Sequence, residues 1–156
     1  MIDVAIARVL HGLAVVFWIG GVALVTTVLL PATRRLKAPH ERMEFFDAIE
    51  RRFAAQARIA TLVTGISGLY LVWRFGLWAR FAHPQFWWMH AMVLVWAVFT
   101  VVLFLLEPLF LRRRLTAYAQ RDPESAFALV VCLHWLLLAL SLVAVAGALG
   151  GSHGLL

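Results

Sequence analysis

The stretch VLHGLAVVFWIGGVALVTTVLL, residues 9–30, decides the fold class. None of its residues is Asp, Glu, Lys or Arg. At ~1.5 Å per residue, a helix of this length spans the ~30 Å hydrocarbon core of a bilayer. The stretch therefore predicts a helix that crosses a membrane.

The rest of the chain has a matching composition. It has 156 residues, of which 63% are hydrophobic and 14% are charged, and its mean hydropathy is +0.89. Two further runs, residues 85–106 and 125–156, also contain no Asp, Glu, Lys or Arg. Because a soluble domain of this size cannot bury so much apolar surface, we predict an integral membrane protein.

Hydropathy and the positions of the prolines predict an all-α fold, a four-helix bundle that forms a single transmembrane domain over residues 1–156. The predicted spans cover about residues 4–30, 58–73, 86–106 and 126–149. Since proline cannot continue helical hydrogen bonding, Pro31 and Pro108 are expected to end the first and third spans. An amphipathic cytoplasmic segment is predicted over about residues 41–57, either lying in the membrane interface or extending the second span.

Basic residues indicate how the chain is oriented. They gather in the first loop and in the third loop, at Arg34, Arg35, Lys37, Arg42, Arg51, Arg52 and Arg58, and at Arg112, Arg113, Arg114 and Arg121. The positive-inside rule then predicts cytoplasmic basic loops and periplasmic N- and C-termini, in a multi-pass protein of a bacterial inner membrane. Contact with membrane lipid also explains the net charge of +6, so no nucleic acid partner is expected.

Three histidines, His11, His90 and His134, lie inside predicted spans. Ionisable groups at membrane depth are costly, so each is a functional candidate, although a neutral histidine can also serve as a hydrogen-bonded packing element. By helical rise, His11 and His90 both lie ~9–10 Å from mid-span toward the outer face, whereas His134 lies ~5 Å toward the cytoplasm. The sequence therefore predicts that His11 and His90 share a level.

Two imidazoles at one level on different helices are what six-coordinate haem iron requires, and an apolar bundle supplies a dry pocket. Trp18, on the face of His11, is a candidate wall of such a pocket, and Gly21 and Gly65 are candidates to make room for the macrocycle. Close helix packing is the alternative role of these residues. His134 has no histidine partner at its own depth, which argues against a second haem.

Copper is an alternative metal. Met89, His90 and Met92 cluster near the predicted outer surface, with His83 in the adjoining loop. Imidazole and thioether groups suit Cu(I), so His11 and His90 form an alternative copper site, with Met92 and His134 as weaker candidate ligands. No repeated His-Met motif accompanies them.

Several short motifs resemble a known family. His11-Gly-Leu-Ala-Val-Val-Phe-Trp-Ile-Gly-Gly21, closing at Pro31, resembles the first helix of the CopD and HemJ-like membrane proteins. Arg52-Phe53 followed by Thr64-Gly65 is similar to their second helix, and Trp88-Met89-His90 is similar to a motif of the HemJ third helix. The resemblance covers roughly the first two-thirds of the chain.

Membership of this group implies a b-type haem held by intramembrane histidine, which maps onto His11 and His90. The chain departs from HemJ-like enzymes at Met92, where they have lysine, and around His134, where their acidic motif has no counterpart. The resemblance therefore favours a cytochrome-like, haem-binding relative that transfers electrons. A quinone or a periplasmic redox protein is the expected partner, and because 156 residues are few for an independent redox enzyme, a homodimer or a partner subunit is also expected. Whether it is a membrane oxidoreductase stays open, as do copper binding or transport and a cofactor-free scaffold subunit.

Overall fold

The computed structural model describes residues 2–152, except for the side chains of Arg112 and Ser152. Four long helices, α1 (Ile2–Leu36), α2 (Pro39–Arg74), α3 (Pro84–Leu111) and α4 (Pro123–Ser152), account for most of this range, and the described residues form no strand. All four are long and apolar enough to cross a membrane. The predicted all-α fold with four spanning helices is confirmed.

Short helical segments complete the chain. A 3-10 turn, Leu77–Ala82, connects α2 to α3, and α3 continues beyond Leu111 as the α-helical extension Arg112–Arg121. The helices alternate in direction, so the end of α1, the start of α2, the extension of α3 and the start of α4 share one end of the bundle. We call this the basic end, because it carries Arg34, Arg35, Lys37, Arg42, Arg113, Arg114 and Arg121. The opposite end, which carries Asp3, is called the Asp3 end.

The helices pack mainly as two neighbouring pairs, α1 with α2 and α3 with α4. A buried apolar cluster at the centre joins the pairs, and its members are Trp18, Val22, Ala60, Val95, Phe99, Leu138 and Ala144. A second buried cluster lies nearer the basic end and consists of Val25, Leu30, Met43, Phe46, Phe127 and Val130. Apolar side chains also cover the outside of the bundle, and Val16, Ile66 and Leu94 are each more than half exposed. Such a surface is compatible with surrounding lipid and with a multi-pass membrane protein.

Pro31 and Pro108 do not end their helices, which corrects the expected boundaries near residues 30 and 106. The chain forms a π-helical turn, Val25–Leu29, just before Pro31, and a π-helical segment, Val102–Leu111, around Pro108. A π-turn widens the backbone and absorbs the missing N–H and the bulk of the proline ring. Both helices therefore continue past their proline to the basic end.

The predicted amphipathic segment at residues 41–57 extends the second span, because both belong to the single helix α2. Met43 and Phe46 lie on the inner face of this segment and pack in the second cluster with Phe127 and Val130 of α4. The segment is therefore held by the bundle rather than by the membrane interface alone.

The N-terminus of α4 is capped by Asp122. Its carboxylate accepts a hydrogen bond of 3.0 Å from the backbone N–H of Ser125. Hydrogen bonds from the Ser125 side chain and then from its backbone N–H hold the pKa of Asp122 below its ordinary value. A charged cap satisfies a free N–H of the first turn and complements the helix dipole.

Glycines on three helices accept aromatic rings from neighbouring helices. Gly21 of α1 faces Phe53 of α2, and Gly65 of α2 faces the indole of Trp96 from α3. On α4, Gly147 and Gly151 lie against the indole rings of Trp87 and Trp88 from α3. In each case a Cβ atom would overlap the ring, so glycine permits the close approach.

Gly65→Ala is expected to destabilise the bundle by about 1–3 kcal/mol, the usual cost of overpacking a filled contact. The added Cβ would lie 2.5 Å from Trp96 Nε1, which donates a 2.9 Å hydrogen bond to the Thr61 carbonyl. Gly20→Ala is the matched control because nothing lies within 4 Å of its added Cβ. That variant should be neutral or more stable, by up to about 1 kcal/mol, since alanine favours helix. Unfolding in SDS, followed by circular dichroism, compares them, and equal stabilities of the two variants would contradict the prediction.

Candidate functional site

His11 lies on α1 where that helix faces α2, and its ring is half-buried. The Nδ1 atom lies 3.1 Å from the carbonyl oxygen of Thr64 and 3.2 Å from the hydroxyl oxygen of Ser67. A carbonyl only accepts, so Nδ1 of the neutral ring carries the proton. The Ser67 hydroxyl donates to the Val63 carbonyl, which leaves its oxygen as a second acceptor for His11. The ring is thereby held in the Nδ1–H tautomer, with Nε2 unprotonated.

His90 lies near the start of α3, and its side chain is exposed. Its Nε2 atom lies 3.0 Å from the carbonyl oxygen of Phe81, in the 3-10 turn between α2 and α3. The imidazole of His90 and the ring of Phe81 also pack edge to face, with centroids 5.4 Å apart. Nε2 is therefore the donor nitrogen of His90, and Nδ1 is the unprotonated one.

His134 lies on α4 and is only partly exposed. Its Nδ1 donates to the carbonyl of Val130 one turn earlier, at 2.9 Å, and its ring packs edge to face against Phe46. Its contacts thus tie α4 to the part of α2 near the basic end. Its partners therefore differ from those of the other two histidines.

The two predicted haem ligands contact different parts of the bundle. His11 bonds to α2 and His90 to the turn before α3, and no hydrogen bond or ring contact of the described residues joins the two. Across residues 2–152, no three His, Cys, Asp or Glu side chains come close enough to hold a metal ion. Met92 packs against the central apolar cluster. None of these contacts favours copper over haem.

The residues expected to surround a macrocycle are occupied by packing contacts. Trp18 is 3% exposed and meets Phe99 of α3 edge to face, with ring centroids 4.8 Å apart. Gly21 and Gly65 receive the rings of neighbouring helices, as described above. A shallow apolar groove of about 500 Å³ lies between α1 and α2, but neither His11 nor His90 lines it. Room for a porphyrin beside His11 therefore requires side chains to move.

The donor chemistry of His11 nevertheless fits a haem ligand. Metal-bound histidines usually donate their second ring N–H to a carbonyl or carboxylate, which fixes the tautomer and ring orientation. The bond from His11 Nδ1 to the Thr64 carbonyl meets this requirement. His90 does not meet it for ligation through Nε2, because that atom is engaged by Phe81.

A row of polar side chains on α2, which we call the polar face, covers residues 58–70 and was absent from the sequence predictions. Polar side chains recur at every third position, in the order Arg58, Thr61, Thr64, Ser67 and Tyr70. Residues three apart are neighbours on a helix surface, but each step also rotates by about 60° around the axis. The row therefore turns from α3, which Arg58 contacts, to α1, which Tyr70 contacts. The repeat was visible in the sequence, but it lies within a run that apolar residues dominate.

The middle of this polar face contains unsatisfied groups. The side-chain oxygens of Thr61 and Thr64 are buried and find no hydrogen-bond partner among the described residues, and the same holds for Nε1 of Trp18 on α1. Thr61 is 0% exposed and Thr64 is 7% exposed. Buried polar groups without a protein partner are uncommon in folded proteins.

On the side toward the basic end, the polar face begins with an ion pair. Arg58 Nη2 lies 2.9 Å from a carboxylate oxygen of Glu107 on α3, and Arg58 Nε donates a 3.0 Å hydrogen bond to the carbonyl of Leu103. In the π-helical register that carbonyl would accept from residue 108, but Pro108 has no N–H. Arg58 therefore satisfies both the Glu107 carboxylate and the carbonyl that Pro108 leaves free.

At the Asp3 end, the polar face meets a second charged group. The Tyr70 hydroxyl donates a 2.6 Å hydrogen bond to Asp3 of α1, and Arg74 lies 3.7 Å from the same carboxylate oxygen. These contacts join the N-terminus of α1 to the end of α2.

Comparisons with protein-family models, curated proteins and solved structures find no match to the chain.

Proposed function

We propose that the chain is a b-type haem-binding membrane protein that transfers electrons, with His11 as an axial ligand. The observation that carries this proposal is the bond from His11 Nδ1 to the buried Thr64 carbonyl. It leaves Nε2 with a free lone pair and holds the ring in one orientation, as the outer-shell partner of a metal-bound histidine does. The resemblance of the His11 to Gly21 stretch to CopD and HemJ-like proteins supports the same role.

His90 is the proposed second ligand. Ligation through Nε2 requires its ring to leave the Phe81 carbonyl, which lies in the short turn Leu77–Ala82 rather than in a long helix. A bound haem supplies one-electron transfer by its iron. The residues of the chain contribute ligand orientation, through Thr64 and Ser67, and apolar surroundings that exclude water.

The proposed location is a bacterial inner membrane, with the basic end in the cytoplasm and both termini in the periplasm. The gathering of arginines at one end of the bundle supports this orientation, because positively charged loops are retained on the cytoplasmic side. His11 and His90 then lie in the periplasmic half. A quinone or a periplasmic redox protein is the proposed electron partner.

An optical spectrum and metal analysis of the purified protein test the proposal. A haem protein is expected to give a sharp Soret band, an α-band on reduction, and iron in stoichiometric amount. Stoichiometric copper without a Soret band would replace this proposal with the copper alternative. If protein purified from haem-replete cells and then incubated with hemin carries neither metal, the haem proposal is wrong.

A further inference from the structure

We propose that the groove between α1 and α2 binds one acyl chain of an anionic phospholipid, and that Arg52 binds the phosphate of its head group. This site is separate from the proposed haem ligands, and the inference does not depend on haem binding. It starts from the lining of the groove and from the positive charge of Arg52 beyond its end nearer the basic end.

The groove is an apolar surface on the outside of the bundle. Its volume is about 500 Å³, and Gln56 is the only polar residue in its lining. Leu13 and Phe17 line it from α1, and Ile59 lines it from α2. Each of these three side chains is more than half exposed. The groove is therefore open to the hydrocarbon of a surrounding membrane along its length.

Arg52 lies on the same face of α2 as the groove. The lining residues Gln56, Ile59 and Val63 follow it at positions i+4, i+7 and i+11, which recur on one face of a helix. Arg58 also lies in this stretch of sequence, but it contacts α3, where it pairs with Glu107. The row on the groove face therefore begins with a charge, continues with an amide and ends in aliphatic side chains.

The Arg52 side chain is exposed, and within the part of the chain that the structure describes it makes no hydrogen bond or ion pair. The α2 positions one turn away from it are Ala48, Ile49, Ala55 and Gln56. None of these is acidic. A guanidinium binds phosphate oxygens through paired, charge-assisted hydrogen bonds, so a phosphate is the group that this arginine fits.

The depth of Arg52 matches that of a phosphate at the membrane surface. At ~1.5 Å per residue, it lies ~32 Å along α2 from Trp73, which is 65% exposed at the Asp3 end. Tryptophan favours the interface between membrane and water, and the hydrocarbon core is ~30 Å thick. With Trp73 at one interface, Arg52 lies at the other, and the groove extends from there into the core.

A phospholipid carries its chemical groups in the same order as this row. Its phosphate lies at the surface, its ester carbonyls lie just below, and its acyl chains enter the core. Arg52 donates to the phosphate, the amide of Gln56 donates to an ester carbonyl, and the aliphatic side chains contact the acyl chain. An anionic head group is preferred over a zwitterionic one, because it has no ammonium group to repel Arg52.

A second copy of the chain fits this surface less well. Two copies related by a two-fold axis along the membrane normal present the same patch at the same depth. Their Arg52 side chains would share one level, and residues 52–63 contain no Asp or Glu to pair with them. A lipid phosphate supplies the negative charge that a second copy lacks there.

Native mass spectrometry in detergent tests the inference. The protein, without added hemin, is titrated with dioleoyl phosphatidylglycerol or with dioleoyl phosphatidylcholine, which have the same acyl chains. Wild-type protein is expected to bind one phosphatidylglycerol saturably and phosphatidylcholine more weakly. Arg52→Gln should weaken phosphatidylglycerol binding about 10–100-fold, the usual effect of losing hydrogen bonds to a charged group. The exposed, unpaired Arg52 is not needed for folding, so this variant should fold like wild type.

Arg51→Gln is the matched control for charge. It removes the same charge at the next position, which the helical rotation of ~100° per residue turns away from the groove. Arg51 Nε already donates to the carbonyl of Asp47 at 3.2 Å. This variant should bind phosphatidylglycerol like wild type. Ala55→Phe keeps Arg52 but fills the groove with a ring, so it should weaken the binding of both lipids.

Three results would overturn the inference. They are equal affinity of the wild type for the two lipids, equal weakening by Arg51→Gln and Arg52→Gln, and unchanged binding by Ala55→Phe. A dimer that forms without lipid and that Ala55→Phe dissociates would also overturn it, because the groove would then be the site of a second copy.

Discussion

Replacing Arg58 with methionine is expected to lower the free energy of unfolding by about 3 kcal/mol, near the lower limit for breaking a buried ion pair. The guanidinium bonds both the Glu107 carboxylate and the Leu103 carbonyl, and methionine satisfies neither. The pair is only partly buried, so the loss should not reach the upper limit. Unfolding in SDS, followed by circular dichroism, measures the change.

Two further variants separate the roles of Arg58. Arg58→Lys keeps the positive charge, but the lysine ammonium lacks the planar guanidinium that bonds a carboxylate and a carbonyl together. The expected loss of unfolding free energy is therefore intermediate between wild type and Arg58→Met. Pro108→Ala returns an N–H to the position from which the Leu103 carbonyl would accept in the π-helical register. Arg58→Lys should therefore cost less in the Pro108→Ala protein than in wild type. The same cost in both proteins would show that Arg58 does not substitute for the missing N–H.

The helix count was predictable because it depends on local composition. A charge-free run such as residues 85–106 predicts a helix long and apolar enough to span a membrane, whatever its neighbours are. The helix ends were not predictable in the same way. The effect of Pro108 depends on whether a donor from another helix reaches the free carbonyl, and Arg58 lies 45 residues away from Leu103 in the chain. No local window contains that information.

The depth of a residue along its helix could also be predicted from local sequence, but the direction in which its side chain points around the helix axis could not. Helical rise places His11 and His90 at one level, yet it does not say which neighbour each ring faces. The packing of α1 against α2 directs His11 to Thr64, and the turn before α3 supplies Phe81 for His90. Gly21 and Gly65 are a further example. The sequence shows that a glycine leaves space on its helix, but not which ring of a neighbouring helix fills that space.

The polar face of α2 was predictable in part. Its repeat from Arg58 to Tyr70 can be read directly from the sequence, since period three keeps residues on adjacent turns. Burial at Thr61 and Thr64, and the lack of side-chain partners there among the described residues, depend on the other helices. A search of apolar runs for polar residues at regular helical spacing would have found these candidates.

His11→Ala is expected to abolish haem binding in the proposed function, whereas His134→Ala should leave the spectrum unchanged. The alanine variant loses the nitrogen that the Thr64 carbonyl orients, and no other imidazole contacts Thr64 or Ser67 among the described residues. The Soret absorbance of purified variants, normalised to protein, measures the loss. Added imidazole should restore part of the absorbance in His11→Ala, because a free imidazole supplies the missing nitrogen to the iron.

Ser67→Ala distinguishes a ligand from a histidine that only packs. It leaves His11 in place and removes one of the two acceptors of the Nδ1 proton, at 3.2 Å. Loss of an outer-shell partner typically lowers metal affinity about 10–100-fold, so a hemin titration should show weaker binding with the same stoichiometry. A purely structural His11 would make both variants less stable without any spectral rescue by imidazole. Rescue in His11→Ala together with weakened binding in Ser67→Ala therefore requires ligation through the nitrogen that the α2 contacts leave free.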